Sequence, residues 1–173
     1  MTITPSTCKT VVFSHGKESG PWGLKITRLA RVAEARGFEV ISIDYRGVFD
    51  PEERVEMLLA QCPAQCGLTV LVGSSMGGYV SLVASERIRP AGLFLMAPAV
   101  GKTGYAHCFP RPHAPQTVIV HGWDDDIVPP SPVIDYARQH RLELEMLPDG
   151  HTLENSLAFL ECRFGYFLDR IAG

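Results

Sequence analysis

The stretch that decides the fold covers residues 68–78 and has the sequence Leu68-Thr69-Val70-Leu71-Val72-Gly73-Ser74-Ser75-Met76-Gly77-Gly78. Its apolar run ends at Val72 and predicts a strand that is buried on both faces. Glycines stand two positions before and two positions after Ser75, in the pattern G-x-S-x-G. Glycine lets a strand and a helix approach closely around a sharp turn. The stretch therefore predicts a strand, a tight turn at Ser75 and a helix that begins at Met76.

Five further apolar runs predict strands elsewhere in the chain. The six predicted strands are Thr10–Ser14, Glu39–Ile43, Leu68–Val72, Gly92–Met96, Thr117–Val120 and Leu142–Met146. Helical patterns separate most of them, at Leu24–Arg36, Glu52–Cys62, Met76–Arg87 and Ser131–His140. Strands that alternate with helices pair in parallel through right-handed crossovers. We expect an α/β fold in one domain: a doubly wound, mostly parallel six-stranded sheet with helices on both faces.

The helix ends carry their own signals. Gly37 is expected to stop the first helix, because glycine readily adopts the left-handed conformation. Ser131 is expected to cap the fourth helix, with Pro132 in its first turn. An apolar stripe predicts a last helix that covers one side of the sheet. The stripe consists of Leu153, Leu157, Leu160, Phe164, Phe167, Leu168 and Ile171.

The connection from Pro98 to Pro115 lacks a helical pattern and is rich in glycine, proline and aromatic residues. It is expected to be a surface loop. Loops of this length are often functional, so Tyr105, His107 and Phe109 are candidates for the mouth of a pocket. An ordered connector without a function explains the pattern equally well.

The chain has 173 residues, of which 46% are hydrophobic and 20% charged, with a net charge of −3. No stripe of basic residues suggests a nucleic-acid surface, and no apolar run is long enough to span a membrane. Residues 1–10 lack the apolar core of a secretory signal, so a cytoplasmic location is expected. A small neutral or weakly charged ligand remains possible.

Five cysteines are widely spread, which is not typical of a disulfide framework. They are Cys8, Cys62, Cys66, Cys108 and Cys162. A zinc site could be assembled on paper from Cys62, Cys66, Cys108, His107 and His113, but their spacing follows no known pattern. Reduced, idle thiols are the favoured interpretation, and no metal is expected.

Ser75 is a candidate nucleophile because a turn between a strand and a helix exposes its hydroxyl at the sheet edge. The helix N-terminus adds backbone N–H groups that can bind a developing negative charge, and the N–H of Met76 comes first. A serine hydroxyl needs a base to remove its proton, and histidine is suited to this near neutral pH.

Among six histidines, His151 is the favoured base, since it directly follows the last predicted strand and so lies at the carboxyl edge of the sheet. His15 and His121 also end strands and are expected to make structural hydrogen bonds beside the site. His140 is expected to be solvated at a helix end. No positional argument favours His107 or His113.

A carboxylate should orient the imidazole. Asp124, Asp125 and Asp126 follow the fifth predicted strand, and their position between Ser75 and His151 gives the order Ser, Asp, His. Such an acidic triplet is otherwise more often a solvated turn, or less often a ligand set for Mg²⁺ or Ca²⁺. Its catalytic interpretation depends on the other two residues.

Four pieces of the chain resemble a small, capless α/β-hydrolase of the esterase and dienelactone-hydrolase-like kind. They are Ser14-His15-Gly16-Lys17, Gly73-Ser74-Ser75-Met76-Gly77-Gly78, His121-Gly122-Trp123-Asp124-Asp125-Asp126-Ile127-Val128-Pro129 and Asp149-Gly150-His151. The chain departs from larger relatives by beginning at what would be their third strand and by lacking a lid between Met96 and Thr117.

The resemblance implies particular roles. The triad acid lies four positions after the strand-end histidine, which implies Asp125, although Asp126 is adjacent and equally acidic. The residue after the His-Gly pair, here Lys17, would give the second oxyanion N–H beside that of Met76. The residues expected around the pocket are His15, Gly16, Ser74, Trp123 and Tyr105.

Three functions remain open. The first is hydrolysis of a small acyl substrate, an ester or thioester, through a Ser75-His151-Asp125 triad and an acyl-enzyme, without a cofactor. The second is a ligand-binding or scaffolding protein of the same fold. The third, a metal-dependent hydrolase that uses the acidic triplet with His151, leaves the Ser75 turn without a role.

Overall fold

The computed structural model describes residues 8–63 and 67–173, which form six strands and five α-helices around one sheet. The strands are β1 (Lys9–Ser14), β2 (Glu39–Ile43), β3 (Leu68–Ser74), β4 (Gly92–Met96), β5 (Gln116–Gly122) and β6 (Glu143–Leu147). The helices are α1 (Leu24–Glu34), α2 (Pro51–Gln61), α3 (Met76–Ile88), α4 (Pro130–His140) and α5 (Leu157–Ala172), with a 3₁₀ turn at Glu154–Ser156.

The sheet has the strand order β2-β1-β3-β4-β5-β6, and all five strand pairs are parallel. The predicted doubly wound α/β fold is therefore confirmed. Because the strands are parallel and in register, their carboxyl ends lie at one edge. Ser14 pairs with Gly73, and Ser74 pairs with Met96. The loops that leave this edge contain every residue singled out above for catalysis.

Two apolar layers cover the two faces of the sheet, since successive strand residues point to opposite faces. Val12 faces the layer formed with α2, α3 and α4, whereas Val11 and Phe13 face the layer formed with α1 and α5. Aromatic rings fill the second layer, where Phe164 lies 5.0 Å from Phe94 between ring centres. Both layers consist largely of fully buried apolar side chains packed on the sheet.

Two predicted helix starts are wrong. Ser131 does not cap α4: the helix begins one residue earlier at Pro130, with Pro129 as N-cap. Proline suits the first helical position because its missing N–H needs no partner there. The last α-helix begins at Leu157, because Leu153 adopts a left-handed φ of 55°. Leu153 is nevertheless buried, so the predicted stripe packs on the sheet although its first residue is not helical.

The connection from β4 to β5 contains neither helix nor strand, as predicted. It is fastened to α3 at two points: the backbone N–H of His107 donates to the Tyr79 hydroxyl and that of His113 to the Ser85 hydroxyl. Among the helices of residues 8–63 and 67–173, none is long and apolar enough to cross a membrane.

Candidate active site

The turn at Ser75 is strained and is built around two glycines. Ser75 has φ 56° and ψ −121°, in a region that side chains rarely adopt. A Cβ on Gly77 would lie 1.9 Å from the carbonyl oxygen of Ser14, and one on Gly73 would lie 2.3 Å from that of Gly77. Both contacts involve backbone atoms, so only glycine fits. The close packing forces the chain to turn sharply and leaves the Ser75 side chain at the sheet edge.

Backbone hydrogen bonds hold this strained residue in place. The N–H of Ser75 donates to the carbonyl of Met96 over 3.0 Å, and its own carbonyl accepts from Ala99 over 3.0 Å. Strain at a single residue persists only where the surroundings fix it in this way.

The structure brings Ser75, His151 and Asp125 together in one hydrogen-bonded chain. The Nε2 of His151 lies 2.9 Å from the Ser75 hydroxyl, and its Nδ1 lies 2.8 Å from Oδ2 of Asp125. A carboxylate accepts hydrogen bonds, so Nδ1 carries the proton and Nε2 accepts from the hydroxyl. In this arrangement the imidazole can take the serine proton while the carboxylate stabilises the resulting positive charge.

Of the three consecutive aspartates, Asp125 alone is buried and faces His151. Its other oxygen, Oδ1, accepts from the N–H groups of Ile127 and Val128 at 3.0 Å and 2.8 Å. Asp124 and Asp126 are exposed. Of the three aspartates, only Asp125 therefore hydrogen-bonds to His151. The backbone N–H groups that bind its Oδ1 fix a turn in which Asp124 and Asp126 face outward.

A second carboxylate, Asp149, organises the turn that carries His151. It accepts from the N–H of Gly150 at 2.8 Å and from the hydroxyl of Ser156 at 2.8 Å, with the Asn155 amide at 3.2 Å. Burial alone would raise the pKa of Asp149, but these hydrogen bonds lower it. Asp149 belongs to the Asp149-Gly150-His151 piece noted in the sequence without a role of its own, and its place two residues before His151 is the signal for this supporting role.

The loop after β1 approaches Ser75 from the other side. A Cβ on Gly16 would lie 3.5 Å from the Ser75 Cβ, which is ordinary contact distance. The His15 ring is buried, its Nε2 accepts from the Tyr45 N–H at 2.9 Å and its Nδ1 donates to the Gly16 carbonyl at 2.7 Å. Burial lowers the pKa of His15, so the ring is neutral. As expected, His15 makes structural hydrogen bonds beside the site.

Two N–H groups predicted to bind an oxyanion belong to Met76 and Lys17. Met76 is the first residue of α3, and the N–H groups of a first helical turn lack intrahelical acceptors. Lys17 follows Gly16 directly, and its side chain is exposed, with Nζ 5.8 Å from the centre of the Phe49 ring. The side chain of Lys17 is therefore exposed at the surface beside Phe49.

The Ser74 hydroxyl has a hydrogen-bond partner on α1 that no local sequence pattern indicates. It accepts a 3.1 Å hydrogen bond from Nζ of Lys25, in the first turn of α1. Burial lowers the pKa of Lys25 to about 8, and the negative charges of Glu154, Asp125 and Asp149 partly oppose that shift. A weakly hydrated ammonium group thus lies beside the residue that precedes Ser75.

The two remaining pocket candidates differ in environment. The Trp123 side chain is exposed directly after β5, and the backbone N–H of Trp123 donates to the carbonyl of Leu147. Tyr105 is partly buried and packs edge-on against Tyr79, with ring centres 4.6 Å apart. The long connection therefore folds back on α3 at Tyr105, while Phe109 remains exposed beside Tyr136.

The other histidines lie outside the hydrogen-bonded chain. His121 donates from Nε2 to the carbonyl of Val128 at 3.0 Å, and burial lowers its pKa. The expectation that His140 is solvated is wrong: its Nε2 is buried, and its ring packs against Tyr136.

A cavity of about 580 Å³ lies at the opposite, amino edge of the sheet, where Thr69, Ala91 and Pro115 line it.

Residues 8–63 and 67–173 contain no group of three or more His, Cys, Asp or Glu side chains that could hold a metal ion. Of the cysteines considered for a zinc site in the sequence, Cys62 is partly buried and Cys108 is exposed. Cys66 lies outside the described residues.

A model of the alpha/beta hydrolase family matches residues 11–166. Among solved structures, a Xanthomonas campestris protein assigned to the alpha/beta superfamily of hydrolases is 30% identical, with a TM-score of 0.87 over 94% of this chain and 99% of that one. A serine hydrolase without a lid, also from Xanthomonas campestris, is 24% identical with a TM-score of 0.75, over 98% and 85% of the two chains. Est1E from Butyrivibrio proteoclasticus is 16% identical with a TM-score of 0.78, over 97% and 90%. No curated protein sequence matches the chain.

Proposed function

The chain belongs to the alpha/beta hydrolase family, and from this premise we propose that it is a serine hydrolase that cleaves a small ester or thioester through Ser75, His151 and Asp125. One observation carries the proposal: the continuous hydrogen bonds from the Ser75 hydroxyl through His151 to the buried Asp125 carboxylate. Side chains from three separate loops meet in the order that proton transfer requires.

In the proposed reaction, Ser75 Oγ attacks the carbonyl carbon while His151 Nε2 takes the hydroxyl proton. The tetrahedral oxyanion is held by the N–H groups of Met76 and Lys17. His151 then gives the proton to the leaving alcohol or thiol, which departs and leaves an acyl ester on Ser75. Water attacks this ester with His151 as base, releases the acid and restores the serine. Asp125 stays ionised throughout and orients the imidazole.

Exposed apolar side chains at the carboxyl edge favour a substrate with an apolar part. Trp22 and Leu24 follow β1, and Trp123 and Ile127 follow β5, each with more than half of its surface exposed. Apolar groups grouped around a site commonly bind apolar ligand surface. The connection from β4 to β5 contains no helix or strand that could form a lid, which supports an open site for a small substrate.

Hydrolysis of p-nitrophenyl acetate and of a short acyl thioester by wild type, Ser75→Ala and Ser131→Ala proteins tests the proposal. Ser131 is an exposed serine in α4 and serves as the matched control. We expect Ser75→Ala to lose at least about 10³-fold in kcat and Ser131→Ala to match wild type. Equal activity in all three proteins would contradict the proposal and favour a ligand-binding or scaffolding role.

A further inference from the structure

Arg54 is the largest fully buried side chain in the described part of the chain, and its charge has no carboxylate partner among the ion pairs found there. Its guanidinium donates to backbone carbonyls of the loop after β1 instead. Nη1 lies 3.2 Å from the carbonyl oxygen of His15 and 3.1 Å from that of Gly16, and Nη2 lies 3.5 Å from that of Lys17. Three consecutive carbonyls of one loop thus converge on a single cation.

The other side of the guanidinium is fixed to the loop after β2. Nε donates to the carbonyl of Val48 at 2.7 Å, and the guanidinium carbon lies 5.1 Å from the centre of the Tyr45 ring. Burial lowers the pKa of Arg54, yet an arginine stays protonated in proteins. Removing a charge from water is costly, so these contacts have to offset that cost.

The carbonyl oxygen of the peptide between Gly16 and Lys17 accepts one hydrogen bond from Arg54 and another from His15. The Gly16 carbonyl oxygen accepts from Arg54 Nη1 at 3.1 Å and from His15 Nδ1 at 2.7 Å. The peptide is trans, so its N–H, which belongs to Lys17, points away from the carbonyl oxygen and from Arg54. Donors on the carbonyl also polarise the peptide and strengthen its N–H as a donor, by about 10–30% per bond.

We propose that Arg54 is a positioning residue that orients and polarises the Gly16–Lys17 peptide so that the Lys17 N–H faces the oxyanion formed at Ser75. The inference rests on the proposed function. A Cβ on Gly16 would be in ordinary contact with the Ser75 Cβ, so this loop lies next to Ser75. A fixed positive charge behind the peptide stabilises negative charge in front of it more than it stabilises a neutral substrate. Arg54 therefore lowers the barrier without contacting the substrate.

Steady-state kinetics of Arg54→Met and Arg54→Lys with p-nitrophenyl acetate test this role, at a temperature where circular dichroism shows both variants folded. We expect kcat to fall about 10- to 100-fold in Arg54→Met, less than the loss on deleting an oxyanion donor, with KM changed less than about threefold. Inhibition by phenylboronic acid, whose serine adduct is a tetrahedral anion, should weaken by the same factor as kcat. Arg54→Lys keeps the charge, so its kcat and boronate affinity should lie between those of the wild type and Arg54→Met.

Leu58→Ala serves as the control for lost stability, because Leu58 is fully buried on the same helix and packs in the apolar layer on that face of the sheet. It should lower the unfolding temperature while kcat and boronate affinity stay at wild-type values. If Arg54→Met is destabilised like Leu58→Ala and also keeps kcat and boronate affinity, the inference is wrong. If Arg54→Met does not fold, the same comparison with Arg54→Lys decides.

Failure of this inference can be told apart from failure of the proposed function. If a fluorophosphonate labels Ser75 in the wild type and Arg54→Met retains full kcat, only the role of Arg54 is overturned. If Ser75 is not labelled and Ser75→Ala keeps its activity, the proposed function itself is overturned.

Discussion

The carboxylate of Asp125 lies 2.8 Å from Nδ1 of His151, although the two residues are 26 positions apart and leave different strands. Each is held by its own turn: backbone N–H groups bind Oδ1 of Asp125, and the Asp149 carboxylate organises the turn before His151. The two turns also touch, since the N–H of Asp124 donates to the carbonyl of Asp149. The imidazole is thereby oriented before any substrate arrives.

Replacing Asp125 by asparagine should abolish most activity and leave the fold intact. The amide is close in size but cannot hold His151 in the tautomer whose Nε2 accepts the serine proton, so we expect kcat to fall about 10³- to 10⁴-fold. Asp126→Asn is the matched control, because Asp126 is exposed and should be replaceable without loss. Rates of p-nitrophenyl acetate hydrolysis measure both. Equal losses in the two variants would contradict the assignment of the acid to Asp125.

Gly77→Ala should destabilise the protein by about 3 kcal/mol or more, at the upper end of the range for overpacking. The added Cβ would meet the backbone of Ser14 at 1.9 Å, and a backbone atom cannot move aside without shifting β1. Gly20→Ala is the control, since its Cβ would meet nothing nearer than 3.8 Å; we expect a change within about 1 kcal/mol. Urea unfolding gives both values, and a stable Gly77→Ala protein would show that the turn packs more loosely.

Lys25 should make stability rise with pH above about 8. Its pKa is about 8 in the folded protein and 10.5 as a free side chain, so between these values the unfolded chain binds more protons and folding is favoured as pH increases. Below pH 8 both states are protonated and the contribution is constant. The free energy of unfolding of the wild type should therefore rise, relative to that of Lys25→Met, by up to about 2 kcal/mol from pH 7.5 to 9.5. Parallel pH curves for the two proteins would contradict this account.

Much of the fold follows from local patterns. Short apolar runs located all six strands, because strands buried on both faces have no reason to alternate. Gly37 was expected to end the first helix; it adopts a left-handed φ of 77° just beyond α1. The start of α4 was misjudged, since a run of prolines at positions 129, 130 and 132 permits more than one first helical residue. Local signals identify an element more reliably than its first residue.

The sequence predicts the candidate site residues that lie at strand ends. It does not predict the residues that support the site from a distant helix. The meeting of Ser75 with Asp125 and His151 follows from parallel strands, whose carboxyl ends share one edge. Arg54 follows two glutamates in a helix, a pattern typical of a solvated face. Its contact with Gly16 spans 38 positions and depends on how α2 packs. Tertiary contacts of this kind leave no mark in local sequence.

The most direct test of the account is the mass spectrum of the protein after treatment with a fluorophosphonate. Ser75 as an activated nucleophile predicts one added phosphonyl group per chain, located on the peptide that contains Ser75, and a label that disappears in Ser75→Ala and forms far more slowly in His151→Asn. A label on another residue, or none in the folded wild-type protein, would contradict the claim that Ser75 attacks the substrate.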